Sequence, residues 1–147
     1  MKASAMQDTS ATTLANSPDA ASAPPVNAPT ALAQALGGSA ASLQELGDFP
    51  NAIAQYRRAI ALAPPKDDVA YCGLGVLLFQ EGDLAGASTQ FQQAEKIDPQ
   101  DPTAFYDLGS VYVKSEKPDA AANQFRKVLE LKPGDADTLA ALQALGF

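Results

Sequence analysis

The chain contains no histidine, no tryptophan and a single cysteine, Cys72. Without histidine the commonest general base and metal ligand is missing, and both Ser-His-Asp and Cys-His arrangements are excluded. A lone cysteine forms no internal disulfide, so no covalent staple holds the fold. Cys72 has no neighbouring cation to lower its thiol pKa, and it reads as a small packing residue rather than a nucleophile. Basic residues are also scarce: 10 Lys and Arg stand against 17 Asp and Glu, a net charge of -7 with a pI near 4.3. Counterion release from phosphate backbones needs a cationic surface, so nucleic acid is not an expected partner. Long apolar runs are absent. The stretch Val69 to Phe79 covers 11 residues, too few to cross a bilayer. No apolar core follows Lys2 as a signal peptide would require. The chain is therefore expected to be soluble and without direct membrane insertion. Cytoplasm is the default compartment, with a periplasmic or exported location as the alternative if a signal segment precedes these residues. Runs of β-branched residues are few while Ala, Leu and Gln are plentiful, which favours an all-α fold.

What is present is a repeat. Tyr71, Leu74, Gly75, Leu78, Ala87, Phe91, Ala94, Ile97 and Pro99 return 34 residues later as Phe105, Leu108, Gly109, Tyr112, Ala121, Phe125, Val128, Leu131 and Pro133. Within each unit the first triple falls at i, i+3, i+7 and predicts one apolar face of a helix. Ala87, Phe91, Ala94 and their counterparts predict a second helix in which small residues flank one large anchor. Gly75 and Gly109 lie beside the first face. A glycine inside a helix costs about 1 kcal/mol against alanine, so its recurrence predicts a neighbouring helix crossing close to the backbone. Phe91 and Phe125 are the expected energetic centres.

The pattern large-x-x-Leu-Gly-x-x-large, then Ala-x-x-x-Phe, then Pro, at this period, resembles the tetratricopeptide repeat (TPR), a helix-turn-helix unit that stacks into a solenoid. An aromatic replaces the family's usual Trp at the first large position. The resemblance implies three helical hairpins (residues 33–67, 68–101 and 102–135) and a capping helix over 136–147, seven helices curved into a short right-handed superhelix with a concave face. The first unit is divergent. Ala52, Tyr56, Ala59 and Pro64 mark its second helix. Leu36, Ser39, Ala40 and Leu43 stand at the first-helix positions, with Gly37-Gly38 expected to interrupt, and its first helix is expected to be weak. In the last segment Leu139, Leu142 and Leu145, with Phe147, are expected to cover the end of the third unit.

Residues 1–31 are rich in Ala, Ser, Thr and Pro, with little that can offset the entropy of ordering, and predict a disordered tail. Asp67, Asp101 and Asp135 precede first helices, and Asp48 and Asp83 precede second helices, so each is expected to cap. Pro102 and Pro118 suit the first helical turn. No metal or cofactor is expected: there is no dense oxygen set of the kind calcium takes, and Gly73-Leu74-Gly75 lies inside a helix rather than in a phosphate loop.

Catalysis thus finds little support, and binding remains. In the family this chain resembles, ligands lie along the concave face on first-helix positions. Carried over, these are Val69, Cys72, Val76, Phe79 and Gln80 in the second unit and Thr103, Tyr106, Ser110, Val113 and Lys114 in the third. The first unit contributes Gln34, Gly37, Ala41, Gln44 and Glu45. The family's clamp of Lys, Asn and Arg for a peptide carboxylate is absent, since only Lys114 is basic. The lining is apolar and neutral, with Phe79 and Tyr106 as its large side chains; Val69, Val76 and Val113 are either lining or interhelix core. The expected function is a protein-interaction adaptor or assembly chaperone taking an apolar segment of a protein or peptide partner. The alternatives are a small chaperone for hydrophobic export substrates and a self-associating structural subunit.

Overall fold

The computed structural model describes residues 28–62, 64 and 68–147. Among these there are seven helices and no strand: α1 Ala28–Glu45, α2 Phe49–Leu62, α3 Val69–Glu81, α4 Leu84–Ile97, α5 Pro102–Lys114, α6 Pro118–Leu131 and α7 Ala136–Leu145. Helices α1/α2, α3/α4 and α5/α6 form hairpins, α7 follows α6, and each second helix packs on the first helix of the next unit. First helices also touch one another, α1 against α3 and α3 against α5, so they line one side of the stack.

The hairpins close through an aromatic ring laid on a glycine. Phe91 and Phe125 are among the most buried large side chains. A Cβ built on Gly75 would meet the Phe91 ring at 2.8 Å, and one on Gly109 the Phe125 ring at 2.6 Å. Glycine at these positions lets the two backbones approach, as the repeat predicts. A third contact of this kind was not legible in the pattern. Tyr56 of α2 places its hydroxyl 2.6 Å from where a Gly73 Cβ would stand, so the ring spans the boundary between the first and second units. Its hydroxyl donates to Gln44 Oε1 at 3.4 Å.

Helix α1 departs from expectation. It runs unbroken for 18 residues through Gly37-Gly38. Nothing stands within 4 Å of a Cβ at either glycine, so these residues are not making room for a neighbour. The surrounding Ala, Leu and Gln favour helix, and burial of Ala33 and Ala40 against the stack holds the segment. The helix also starts at Ala28, before the expected end of the tail at residue 31, because Pro29 sits in the first turn where its missing N–H costs nothing. The rest of the tail, residues 1–27, lies outside the described residues.

Capping follows the sequence at four positions and differs at one. Asp83 accepts from the Gly86 N–H, Asp101 from Thr103 and Asp135 from Thr138, and Asp48 accepts from Asn51 at 3.4 Å. The N-cap of α3 is Asp68, which makes no side-chain cap bond; Asp67 lies outside the described residues. Pro102 and Pro118 occupy the first turns of α5 and α6. At the C-terminus of the stack Leu142 and Thr138 are buried and Leu145 packs on the third unit. Contrary to expectation, Leu139 faces outward at 44 % exposure, and Phe147 is 49 % exposed with Arg126 over its ring at 5.1 Å. The α7 residue in register with Gly75 and Gly109 is Gln143, which is exposed. Gln143 thus lacks the gap that Gly75 and Gly109 offer to their rings.

Two kinds of glycine predict opposite responses to one substitution. Gly38→Ala should stabilise by about 0.5–1 kcal/mol, since the site is open and helical. Gly109→Ala should destabilise by about 1–3 kcal/mol, because the Phe125 ring is enclosed and cannot retreat. Phe125→Ala should cost about 3–5 kcal/mol, against a negligible change for exposed Glu130→Ala. Urea midpoints check all four, and equal midpoints for the two glycine variants would refute the packing account.

Candidate functional site

The side of the stack formed by first helices carries the expected lining residues. Val69 is 67 % and Val113 is 43 % exposed, so neither completes the interhelix core. Gln80, Thr103 and Lys114 are exposed as well. Phe79 and Val76 are half-buried and pack against the core of the first two units. The Lys114 Nζ stands 4.8 Å from the centroid of the Phe79 ring, a cation–π contact that ties α5 to α3. Ser110 donates its hydroxyl to the Tyr106 carbonyl at 3.1 Å, within its own helix. In the first unit Gln34, Ala41 and Glu45 are exposed, while Gly37 and Gln44 are half-buried.

Tyr106, like Phe79, is half-buried. Its ring packs on Phe125 with centroids 5.5 Å apart and planes tilted by 50°, and it joins the core of the third unit. Phe79 is left as the large aromatic of this face with a contact between units.

The lining is also not neutral. At the N-terminal ends of α3 and α5, one ligand atom each from Asp68, Cys72 and Asp101 lie within 4.8 Å of one another. The Asp68 and Asp101 side chains hydrogen-bond across the boundary between the second and third units. Burial, then the bond to Asp101 and the charges of Asp101 and Asp98, push the Asp68 carboxyl up to about 6. Asp101 goes the other way. Against the burial that raises it, the Thr103 N–H and the Asp68 carboxyl hold it below the usual carboxylate range. Below about pH 6 the shared proton therefore belongs to Asp68 and Asp101 accepts, and above it both carboxyls are ionised. Asp107 on α5 is also pushed up to about 6, by burial and by Asp101. Burial, with Asp68, Asp107 and Asp101 behind it, pushes the Cys72 thiol up to about 12. Cys72 thus stays protonated at neutral pH and is no nucleophile. Taken one at a time along the chain, these aspartates look like caps. Their meeting depends on the stacking of α3 on α5, and no spacing in the sequence signals it.

Asp107 makes stability depend on pH in a defined direction. A carboxyl whose folded pKa is about 6 against 3.8 unperturbed binds its proton more tightly when folded. It favours folding fully below the lower value and loses that contribution as pH rises through the upper one. Asp107→Asn should therefore raise the urea midpoint at about pH 7.5, and the gain should shrink towards zero as pH falls to about 4. A gain that is unchanged across that window would exclude burial of the charge as its cause.

Comparison with known proteins agrees with this geometry. A family model described as "Tetratricopeptide repeat" matches residues 33–66 and 102–135, and one described as "TPR repeat" matches residues 75–116. Among solved structures, the TPR domain of Arabidopsis OM64 superposes with a TM-score of 0.74 at 19 % identity, covering 80 % of this chain and 97 % of that one. The first TPR of Spaghetti (RPAP3), bound to the HSP90 peptide SRMEEVD, gives 0.74 at 20 %, covering 80 % and 92 %. The second TPR domain of human RPAP3, in complex with the HSP70 peptide SGPTIEEVD, gives 0.74 at 21 %, covering 81 % and 98 %. At such identities these likenesses speak for the fold alone. The repeat matches extend over more than half of the sequence and establish that the chain belongs to the tetratricopeptide repeat family.

Proposed function

We propose that this chain is a protein-interaction module, an adaptor or assembly chaperone without catalytic activity, whose first-helix face takes an extended apolar segment of a partner protein. The observation that carries this reading is the exposure of Val69 and Val113 on adjoining first helices, with Phe79 half-buried between the units under Lys114. Apolar side chains left in water on a rigid surface gain by being covered, at about 25 cal/mol per Å². Solved TPR domains of this fold hold peptides of HSP90 and HSP70, which supports a peptide as the kind of ligand. Gln80 and Thr103 are exposed to bond its backbone; Ser110 has its proton committed within α5.

No helix among the described residues is long and apolar enough to cross a membrane, and the cytoplasm is the compartment proposed. The self-association reading has exposed Leu139 and Phe147 in its favour. Gln143 weighs against it, since it closes the position at which the stack would continue by the same packing.

The face is tested with Val113→Glu and Phe79→Ala, compared with the parent in quantitative pull-downs from native cells. Phe79→Ala should cost about 2 kcal/mol of binding, as a central aromatic does. Val113→Glu should abolish recovery of the partner while leaving the thermal melt unchanged, because the side chain is exposed. Recovery undiminished with folded variants would sink the first-helix face as the binding surface.

A further inference from the structure

The apolar face and the carboxyl cluster share the same two helices, and this says something about what covers the face. Val69 directly follows Asp68, and Cys72, itself a lining residue, has its sulfur in the cluster with Asp68 and Asp101. Asp107 stands one residue from Tyr106, close enough to the cluster to act on Cys72 and feel Asp101. No cation offsets these groups among the described residues. The one ion pair there joins Lys132 to Asp135, Lys114 is placed over Phe79 and Lys127 over Phe105. Asp68 and Asp107 are costly to ionise beside the Asp101 carboxylate, and a cation brought to the group relieves that cost.

We propose that the partner segment is apolar and cationic: its aliphatic residues cover Val69, Val76 and Val113, and a lysine or arginine beside them is seated on Asp68, Asp101 and Asp107. This rests on the reading of the first-helix face as a peptide groove and gives that groove its selectivity. A segment of opposite charge is disfavoured. Peptides such as SRMEEVD and SGPTIEEVD, held by TPR domains of the same fold, would bring carboxylates against carboxylates. A like-charge contact of this kind costs several kcal/mol in a desolvated interface.

The test is selection of a phage-displayed random dodecapeptide library on the immobilised full chain at about pH 7.5, with chelator present so that no metal ion bridges the cluster. Enriched peptides should place lysine or arginine among apolar residues. A synthetic copy of the strongest should bind the D68N/D107N variant about tenfold more weakly, and its affinity should fall as salt rises. Asp68 is the N-cap residue of α3 but makes no side-chain cap bond, and asparagine suits that position equally, so the variant is expected to fold. Enrichment of neutral or acidic peptides would overturn the inference while leaving the groove standing, provided that V113E still abolishes their binding. Cationic peptides that bind the D68N/D107N variant as well as the parent would do the same. Lys66 lies outside the described residues. If the K66Q chain alone selects cationic peptides, the cluster already holds a cation of its own chain and the inference fails. If no peptide is enriched above an uncoated control, the groove reading itself fails, and this inference with it.

Discussion

The structure depends on an aromatic ring seated where a side chain is missing. Gly75 under Phe91 and Gly109 under Phe125 let the two helices of a hairpin approach to ring thickness, and the rings are then fully enclosed. Each such ring contributes on the order of 2–3 kcal/mol by burial. The helix propensity lost at the glycine is about 1 kcal/mol. The balance favours the contact, and the contact sets the hairpin angle that every later unit inherits. In the first unit buried Ala40 stands at the glycine position, and Tyr56 packs on Gly73 instead.

Junctions between units are built differently from the hairpins. Tyr56 reaches over Gly73, and Gln92 donates to the Tyr112 hydroxyl at 3.4 Å between α4 and α5. At the junction of the second and third units Leu108 and Val111 join the core of the second unit, and beside this apolar contact the carboxyls of Asp68 and Asp101 meet. The pair is less favourable for folding at neutral pH than an apolar contact would be, because burial and Asp101 oppose ionisation of Asp68. It places negative charge beside the exposed apolar residues of the first-helix face. The same surface thus has two properties, apolar area and uncompensated charge, and a partner that satisfies both is distinguished from one that satisfies either.

Rigidity and adaptability are divided along the chain. The rings on glycines fix the helices, while the face is made of Val69, Val113, Gln80, Thr103 and Lys114, side chains that the core does not hold. Substitution on that face therefore has little effect on the fold, whereas substitution at Phe91 or Phe125 changes the fold first.

The sequence by itself determined the class, the period, the hairpins, the ring-bearing positions and most of the caps. All of these come from contacts within a turn or between helices joined by a short loop, and a period of 34 residues repeats them in register. Only the tertiary structure decided the rest. Gly37 and Gly38 sit in an unbroken helix because packing outweighs local preference. Tyr106 is half-buried because its ring packs on Phe125, and Leu139 stands on the exposed side of α7. Asp68, Asp101 and Asp107 stand in one charged group because stacking brings together helices whose separation in sequence carries no trace of their contact.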